Sequence, residues 1–257
     1  MTLGRAAVVA AAVFATACAA RAPERPAGAA VEAPDAIQAL ARATTHCRSL
    51  RTATAEIRLV GRAGSQRVRA RLVSGFAAPD SLRLEALAPF GPPALVLASN
   101  GATTTLFFPR EAQVLREAPV AAVLDALTGL ALDAADLRKL IFGCVAGAGG
   151  RGMQYGDAWQ VVTEGETRTF LKHGVLVAAD YQGWQVDYAA HEGGIARSVR
   201  VRRSLPRGNL DLVATLAGVE TNVDLDAAAF TVTVPAGASP ITLDDLRAAS
   251  PFAPREP

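Results

Sequence analysis

Between residues 55 and 108 apolar and polar side chains alternate with period two. Ile57 and Leu59 interleave with Glu56 and Arg58; Val68, Ala70 and Leu72 with Arg67, Arg69 and Arg71; Leu82, Leu84 and Ala86 with Arg83 and Glu85. Successive strand side chains point to opposite faces, so the pattern predicts strands over 55–61, 66–75 and 81–87, each with one wet and one apolar face. Segments 95–99 and 103–108 flank Asn100-Gly101, a strong two-residue hairpin signal. The connections are short and carry Gly, Pro, Asn or Asp, which fits an antiparallel meander.

The period then changes. Val120, Val123, Leu124 and Leu127 fall at helical spacing and stop at Gly129. Asp133 is placed to cap a second helix bearing Leu137, Leu140 and Ile141, stopped at Gly143. A first helix is predicted over 35–48, with Asp35 as its cap after Pro34 and Ile37, Leu40 and Ala41 as its stripe. After a glycine-rich link at 146–152, strands resume over 159–163, 167–172, 175–181, 184–190, 196–203 and 210–216. Phe230, Val232 and Val234 read as a last strand, and 243–247 as a short terminal helix.

The sum is about a dozen half-apolar strands with few helices. The apolar face of an open sheet needs a cover. A curved sheet around an apolar cavity, with the helix pair as cover, satisfies both facts. Periodicity leaves a filled core open as the alternative.

Composition changes the picture little. The 257-residue chain is 51% hydrophobic and 5% aromatic, with a net charge of +2, so no strong pull toward nucleic acid or anionic lipid is expected. Nearly all basic residues are arginine; Lys139 and Lys172 are the lysines. Arg197, Arg200, Arg202 and Arg203 read as one solvated, charged sheet face, with an acidic docking partner as the alternative.

The chain start carries more. Arg5 precedes an uncharged apolar run, Ala6 to Ala15, and Ala15-Thr16-Ala17 stands directly before Cys18. Basic, apolar and small-residue segments in this order form a secretory signal, and the run is shorter than the ~20 residues a bilayer span requires. The junction resembles a lipobox, which implies cleavage before Cys18 and lipidation of that cysteine. An ordinary secretory signal with an incidental cysteine is the alternative. Ala19, in place of the aspartate that retains lipoproteins at the inner membrane, implies the outer membrane. The chain then divides into a signal peptide (1–17), the lipidated cysteine with an Ala/Pro-rich tether (18–34), one domain (35–250) and a tail (251–257). Cys47 and Cys144 remain, either as a disulfide in an oxidising compartment or as two buried thiols.

Catalytic patterns are missing. HExxH, GxSxG, a P-loop and CxxC do not occur. His46, His173 and His191 lack metal-ligand spacing, and the last two sit at predicted turns. Gly147 to Gly152 fits GxGxxG, but with a helix before it and a strand after it, the reverse of a dinucleotide site. No enzyme activity, cofactor or metal is expected.

The stretch SLRLEALAPFGPPALVLASN (81–100) resembles the outer-membrane lipoprotein-receptor family within the LolA/LolB-like superfamily. The likeness continues through LTGL (127–130), DLRKLIFG (136–143), GWQVDY (183–188) and the segment from Val223 to Pro235. It implies an α+β, mainly β fold: a half-open antiparallel β-barrel of about eleven strands, enclosing an apolar cavity for acyl chains and lidded by a few helices. The residues then expected at the cavity are Leu82, Leu84, Leu95, Leu97, Leu106, Trp159, Trp184 and Tyr188, with Leu124, Leu127, Leu137 and Ile141 from the lid. Pro89, Phe90 and Gly91 match the turn by which such a receptor enters the membrane. Phe90 is either an exposed tip or folded into the core. Implied partners are the membrane through the lipid anchor, acyl chains of lipoproteins or lipids, and a periplasmic LolA-like carrier, with no nucleic acid. A lipid- or signal-sensing module and a cargo-free scaffold are the rival readings. The extra prolines of the turn and the Cys47/Cys144 pair depart from the family pattern and imply a divergent member.

Overall fold

The computed structural model describes residues 25–129, 131–146, 149–205 and 208–249. The expected signal segment, Cys18, the first part of the expected tether, Leu130, the Gly147-Ala148 and Pro206-Arg207 pairs and the tail from Ser250 lie outside the described residues.

Two antiparallel meanders make one sheet. The first comprises β2 (Thr52–Ala63), β3 (Gln66–Ala77), β4 (Ser81–Ala86), β5 (Leu95–Ser99), β6 (Thr104–Phe108) and β7 (Gln113–Arg116). Helices α3 (Val120–Thr128) and α4 (Ala134–Phe142) follow. The second meander comprises β8 (Arg151–Tyr155), β9 (Trp159–Glu164), β10 (Thr167–Lys172), β11 (Val175–Tyr181), β12 (Trp184–Glu192), β13 (Ile195–Leu205) and β14 (Gly208–Thr221). Pairing of β14 with β2 joins the two.

Both edges are capped by two-residue strands from the chain ends. The first, β1 (Val31–Glu32), pairs with β8, and β15 (Ser239–Pro240) runs parallel to β7. The sheet therefore has 15 strands and does not close. The expected half-open barrel of about eleven antiparallel strands is corrected on two points, strand number and the parallel edge pair; the sheet stays open, its two edges ending on terminal segments. The missed strands are those with little alternation to read: β1 and β15 are two residues long, β7 is four, and β8 begins inside the glycine-rich stretch. A Cβ on Gly152 would lie 2.2 Å from the Ala33 carbonyl oxygen and 2.9 Å from Ala36 Cβ, so this glycine serves close packing of α1 (Asp35–Ala43) on β8.

Local signals explain several helix ends. The Asp133 carboxylate accepts the Asp136 N–H at 2.7 Å, and Gly129 and Gly143 end their helices at φ 74° and 71°. The helix predicted over 35–48 breaks at Thr44 into α1 and α2 (Thr45–Ser49), with the Thr44 hydroxyl returned to the Leu40 carbonyl. Asp35 lies in the first turn of α1 and does not cap it. Asn100-Gly101 opens a loop of residues 100–103, with the Asn100 amide oxygen accepting from the N–H groups of Ala102 and Thr103. The strand predicted at 230–234 is absent: Ala227–Phe230 is a short 3-10 helix capped by Asp226, and Phe230 is buried against the back of the sheet.

Helices α1, α3, α4 and α5 (Leu243–Ala249) pack on the sheet's inner face. Helix α4 touches both β4 and β13. Those strands are four steps apart, about 19 Å along a flat sheet. A helix about 10 Å wide reaches both because the sheet curls around it. The span 25–249 holds the core, both edge caps and the disulfide described below, and so is a self-contained folding unit.

Composition marked residues 18–34 as tether, but from Arg25 the chain lies on the sheet. Arg25 bridges Asp180 and Asp187 on the outer face and stacks over Phe170 at 4.7 Å. Among the described residues no helix is long and apolar enough to cross a membrane.

Candidate functional site on the concave face

Strand parity decides which side chains meet. Leu82 and Leu84 of β4, Leu97 of β5, Leu106 of β6, and Trp184 and Tyr188 of β12 join Leu124 of α3 and Ile141 of α4 in one apolar cluster. Leu95, Leu127 and Leu137 pack against it from half-buried positions. Trp159 does not. It shares parity with Val161, which packs with Phe170 and Ala178 on the outer face, where Lys172 Nζ lies 5.2 Å from its ring.

The expected open cavity is filled in this structure. Leu82 and Leu106 are 0% exposed, and Leu97 and Trp184 are 1% exposed. The sheet supplies the leucines and the helices supply the side chains that fill the space between them. An open cavity of about 460 Å³ lies elsewhere, at the β2–β3 hairpin, lined by Val60, Gly61, Arg62, Arg67, Val68 and Arg69.

The cover is held unevenly. Tyr188, in mid-sheet, donates its hydroxyl to the Leu140 carbonyl of α4 at 3.1 Å, and burial pushes the phenol well above its ordinary pKa. Tyr181 donates to Asp136 of α4 at 2.7 Å. Burial first, then that carboxylate, raises the Tyr181 pKa. Lys139 reaches Asp136 at 3.2 Å, and Phe142 meets the Phe76 ring edge-on at 5.7 Å. Cys144, two residues past α4, is bonded to Cys47 in α2 with an S–S distance of 2.09 Å. His46 Nε2 lies 2.8 Å from the Phe142 carbonyl. His46, Cys47 and Cys144 are close enough to suggest a metal site, but the disulfide uses both sulfurs. Helix α3, by contrast, meets the core through Val123, Leu124 and Ala126 and packs on α5.

Sequence reasoning missed these polar ties. Tyr181 and Asp136 are 45 positions apart, and nothing local links them. It also placed Arg197, Arg200, Arg202 and Arg203 on one face. Parity divides them: Arg200 and Arg202 lie outside, paired with Asp211 and Asp187, while Arg203 stacks over Trp184 at 4.8 Å on the inner side.

Phe90 is 87% exposed at the tip of the β4–β5 loop. The loop is closed by the Ala94 N–H to the Ala86 carbonyl at 2.8 Å, and the Arg110 guanidinium donates to the Phe90 carbonyl. Gly91, at φ 77°, makes the turn at the tip. Pro89 and Gly91 thus hold an aromatic ring in solvent.

No family model matches the chain, and neither does any curated protein. Solved structures similar to it over most of their length include the following three. A DUF1329 family protein from Desulfovibrio piger is 12% identical, with a TM-score of 0.47 over 76% of this chain and 95% of that one. A LolA superfamily protein from Nitrosomonas europaea is 11% identical, with a TM-score of 0.46 over 79% and 98%. A protein domain from Vibrio parahaemolyticus, named for outer membrane lipoprotein sorting, is 9% identical, with a TM-score of 0.44 over 76% and 95%. At 9–12% identity these likenesses assign no residue and no activity to this chain.

Proposed function

We propose that this chain is an envelope lipoprotein of the LolA/LolB-like kind, anchored through Cys18 at the outer membrane, whose concave face takes an acyl chain of a lipoprotein or lipid when α3 moves aside. The observation that carries this reading is the continuous apolar inner face beneath a cover whose α3 half meets the core through apolar side chains. Exposing Val123, Leu124 and Ala126, with half-buried Val120 and Leu127, costs roughly 7 kcal/mol. An acyl chain gains about 0.8 kcal/mol per buried methylene, so some nine methylenes offset the opening. Transfer would run from a periplasmic LolA-like carrier by difference in affinity, with Phe90 entering the membrane at delivery. No covalent chemistry is involved.

The burial of Leu82, Leu97, Leu106 and Trp184 favours a second reading, a scaffold with a permanently filled core. One experiment separates the two. The folded span 25–249 is titrated with a fluorescent fatty acid, then with a diacylated lipopeptide as competitor. Saturable, competable binding supports acyl capture, and a folded protein that binds neither probe leaves the scaffold. Mass spectrometry of Cys18 in the purified envelope protein tests the anchor separately: a diacylglyceryl adduct is expected, and an unmodified cysteine refutes it.

A further inference from the structure

The outer face of the β2–β3 hairpin is built from arginine. Register sets Arg58 opposite Arg71, Val60 opposite Arg69 and Arg62 opposite Arg67. All five guanidinium groups are on exposed residues. Like charges directly opposite across strands repel. The ion pairs among the described residues leave all five without a carboxylate partner. Asp211, opposite Arg62, directs its carboxylate to Arg200, and Glu56 is the nearest acid on β2 itself. Arg62, Arg67 and Arg69 line the 460 Å³ open cavity. The net charge of +2 hides this concentration.

Two further placements bear on what covers this face. The Leu87 N–H bonds to the Arg71 carbonyl at 2.8 Å, so the loop that ends in Phe90 leaves the sheet beside the arginines. Val73, on the same face, is 40% exposed. The tether docks on the same side. Arg25 pairs with Asp187, and one row of the sheet runs Asp187–Arg200–Val213–Val60–Arg69. Four strand steps, about 19 Å, separate its ends. Seven residue steps from Cys18 to Arg25 reach at most about 25 Å. A lipid on Cys18 therefore leaves the arginine face within reach of the bilayer surface.

We propose that the arginine face of the β2–β3 hairpin docks on an anionic lipid leaflet, its guanidinium groups on headgroup phosphates and Phe90 beside them at the membrane. Guanidinium forks match phosphate oxygens two at a time. The placement by tether rests on the Cys18 anchor proposed above; the affinity for anionic lipid does not.

The test uses the unlipidated span 25–249 and sedimentation with vesicles of phosphatidylcholine alone or with about a third phosphatidylglycerol. Binding is expected to the anionic vesicles only, and to weaken as salt rises. Each basic residue at an anionic surface contributes a factor of about five, so the triple variant Arg62→Gln/Arg67→Gln/Arg69→Gln loses about a hundredfold. Arg42→Gln/Arg48→Gln/Arg116→Gln removes equal charge from exposed sites elsewhere and keeps nearly all the binding. No wild-type binding, equal losses in both triples, or an unaffected hairpin variant would each overturn the proposal. Unchanged melting of both triples shows that folding is not the cause. Fatty-acid binding is read in the same samples without vesicles. A protein that takes fatty acid but ignores anionic vesicles refutes this surface alone; the reverse result refutes acyl capture alone.

Discussion

The hydroxyl of Tyr188 reaches from the middle of the sheet to the Leu140 carbonyl, 3.1 Å away and fully inside the core. It is a polar contact between the floor of the concave face and its helical cover, in a place where an unmatched polar atom is expensive. Tyr188→Phe should therefore lower stability by about 1–2 kcal/mol with little change in shape. Urea unfolding measures it, and a loss under ~0.3 kcal/mol would mean that the contact does not hold α4.

The Cys47–Cys144 bond closes a loop of sequence separation 97. Constraint of the unfolded chain by a loop that long gives about 4–5 kcal/mol. Reduction, or the double change Cys47→Ser/Cys144→Ser, should take away most of that and lower the melting temperature steeply. Equal melting of oxidised and reduced protein would show that the cover is held by its side chains alone.

The two tryptophans lie on opposite faces, Trp184 inside at 1% exposure and Trp159 outside. If acyl chains enter the concave face, a brominated fatty acid should quench Trp184 and spare Trp159. Trp159→Phe should keep the quenching and Trp184→Phe should lose it. Quenching confined to Trp159 would move the ligand to the outer face.

Phe90 packs on little, so Phe90→Ala should change stability by less than ~0.5 kcal/mol. Its effect should appear in delivery: acyl cargo is still bound but passes more slowly into vesicles. Delivery at the wild-type rate would remove the tip from the mechanism.

Arg200 holds the Asp211 carboxyl below its ordinary pKa of 3.8, chiefly by hydrogen bonding. A depressed native pKa contributes stability that is present above the unfolded value and lost as pH falls through the native one. The pair is partly exposed, so the contribution is about 0.5 kcal/mol. Asp211→Asn should cost that amount at pH 7 and nothing at pH 2. A constant difference across the range would assign the effect to packing.

What could be read from sequence was local. Asp133, Gly129 and Gly143 stop and start helices by their own backbone chemistry, and Leu82, Leu84 and Leu97 alternate within long strands. What could not be read depended on distant partners. Two residues at 31–32 become a strand only because β8 lies beside them. Trp159 opens its strand, and a strand end gives no parity until its neighbours are placed. The Phe230 segment follows strand-like alternation, yet Asp226 caps a helical turn there and Phe230 is buried behind the sheet. The arginine face was visible as polar positions, but only the register of β2 on β3 shows five guanidinium groups together.

The two caps on the sheet edges also fix an order of events. Val31 pairs with Gln154, and Ser239 with Gln113, so each cap joins a strand more than a hundred positions away. A chain synthesised N-terminus first exposes β7 as a bare edge until residue 239 has emerged. The β14–β2 seam likewise waits for the last third of the chain. Maturation therefore ends at the rims, and a nascent domain stalled before β15 carries an adhesive strand that the finished one does not.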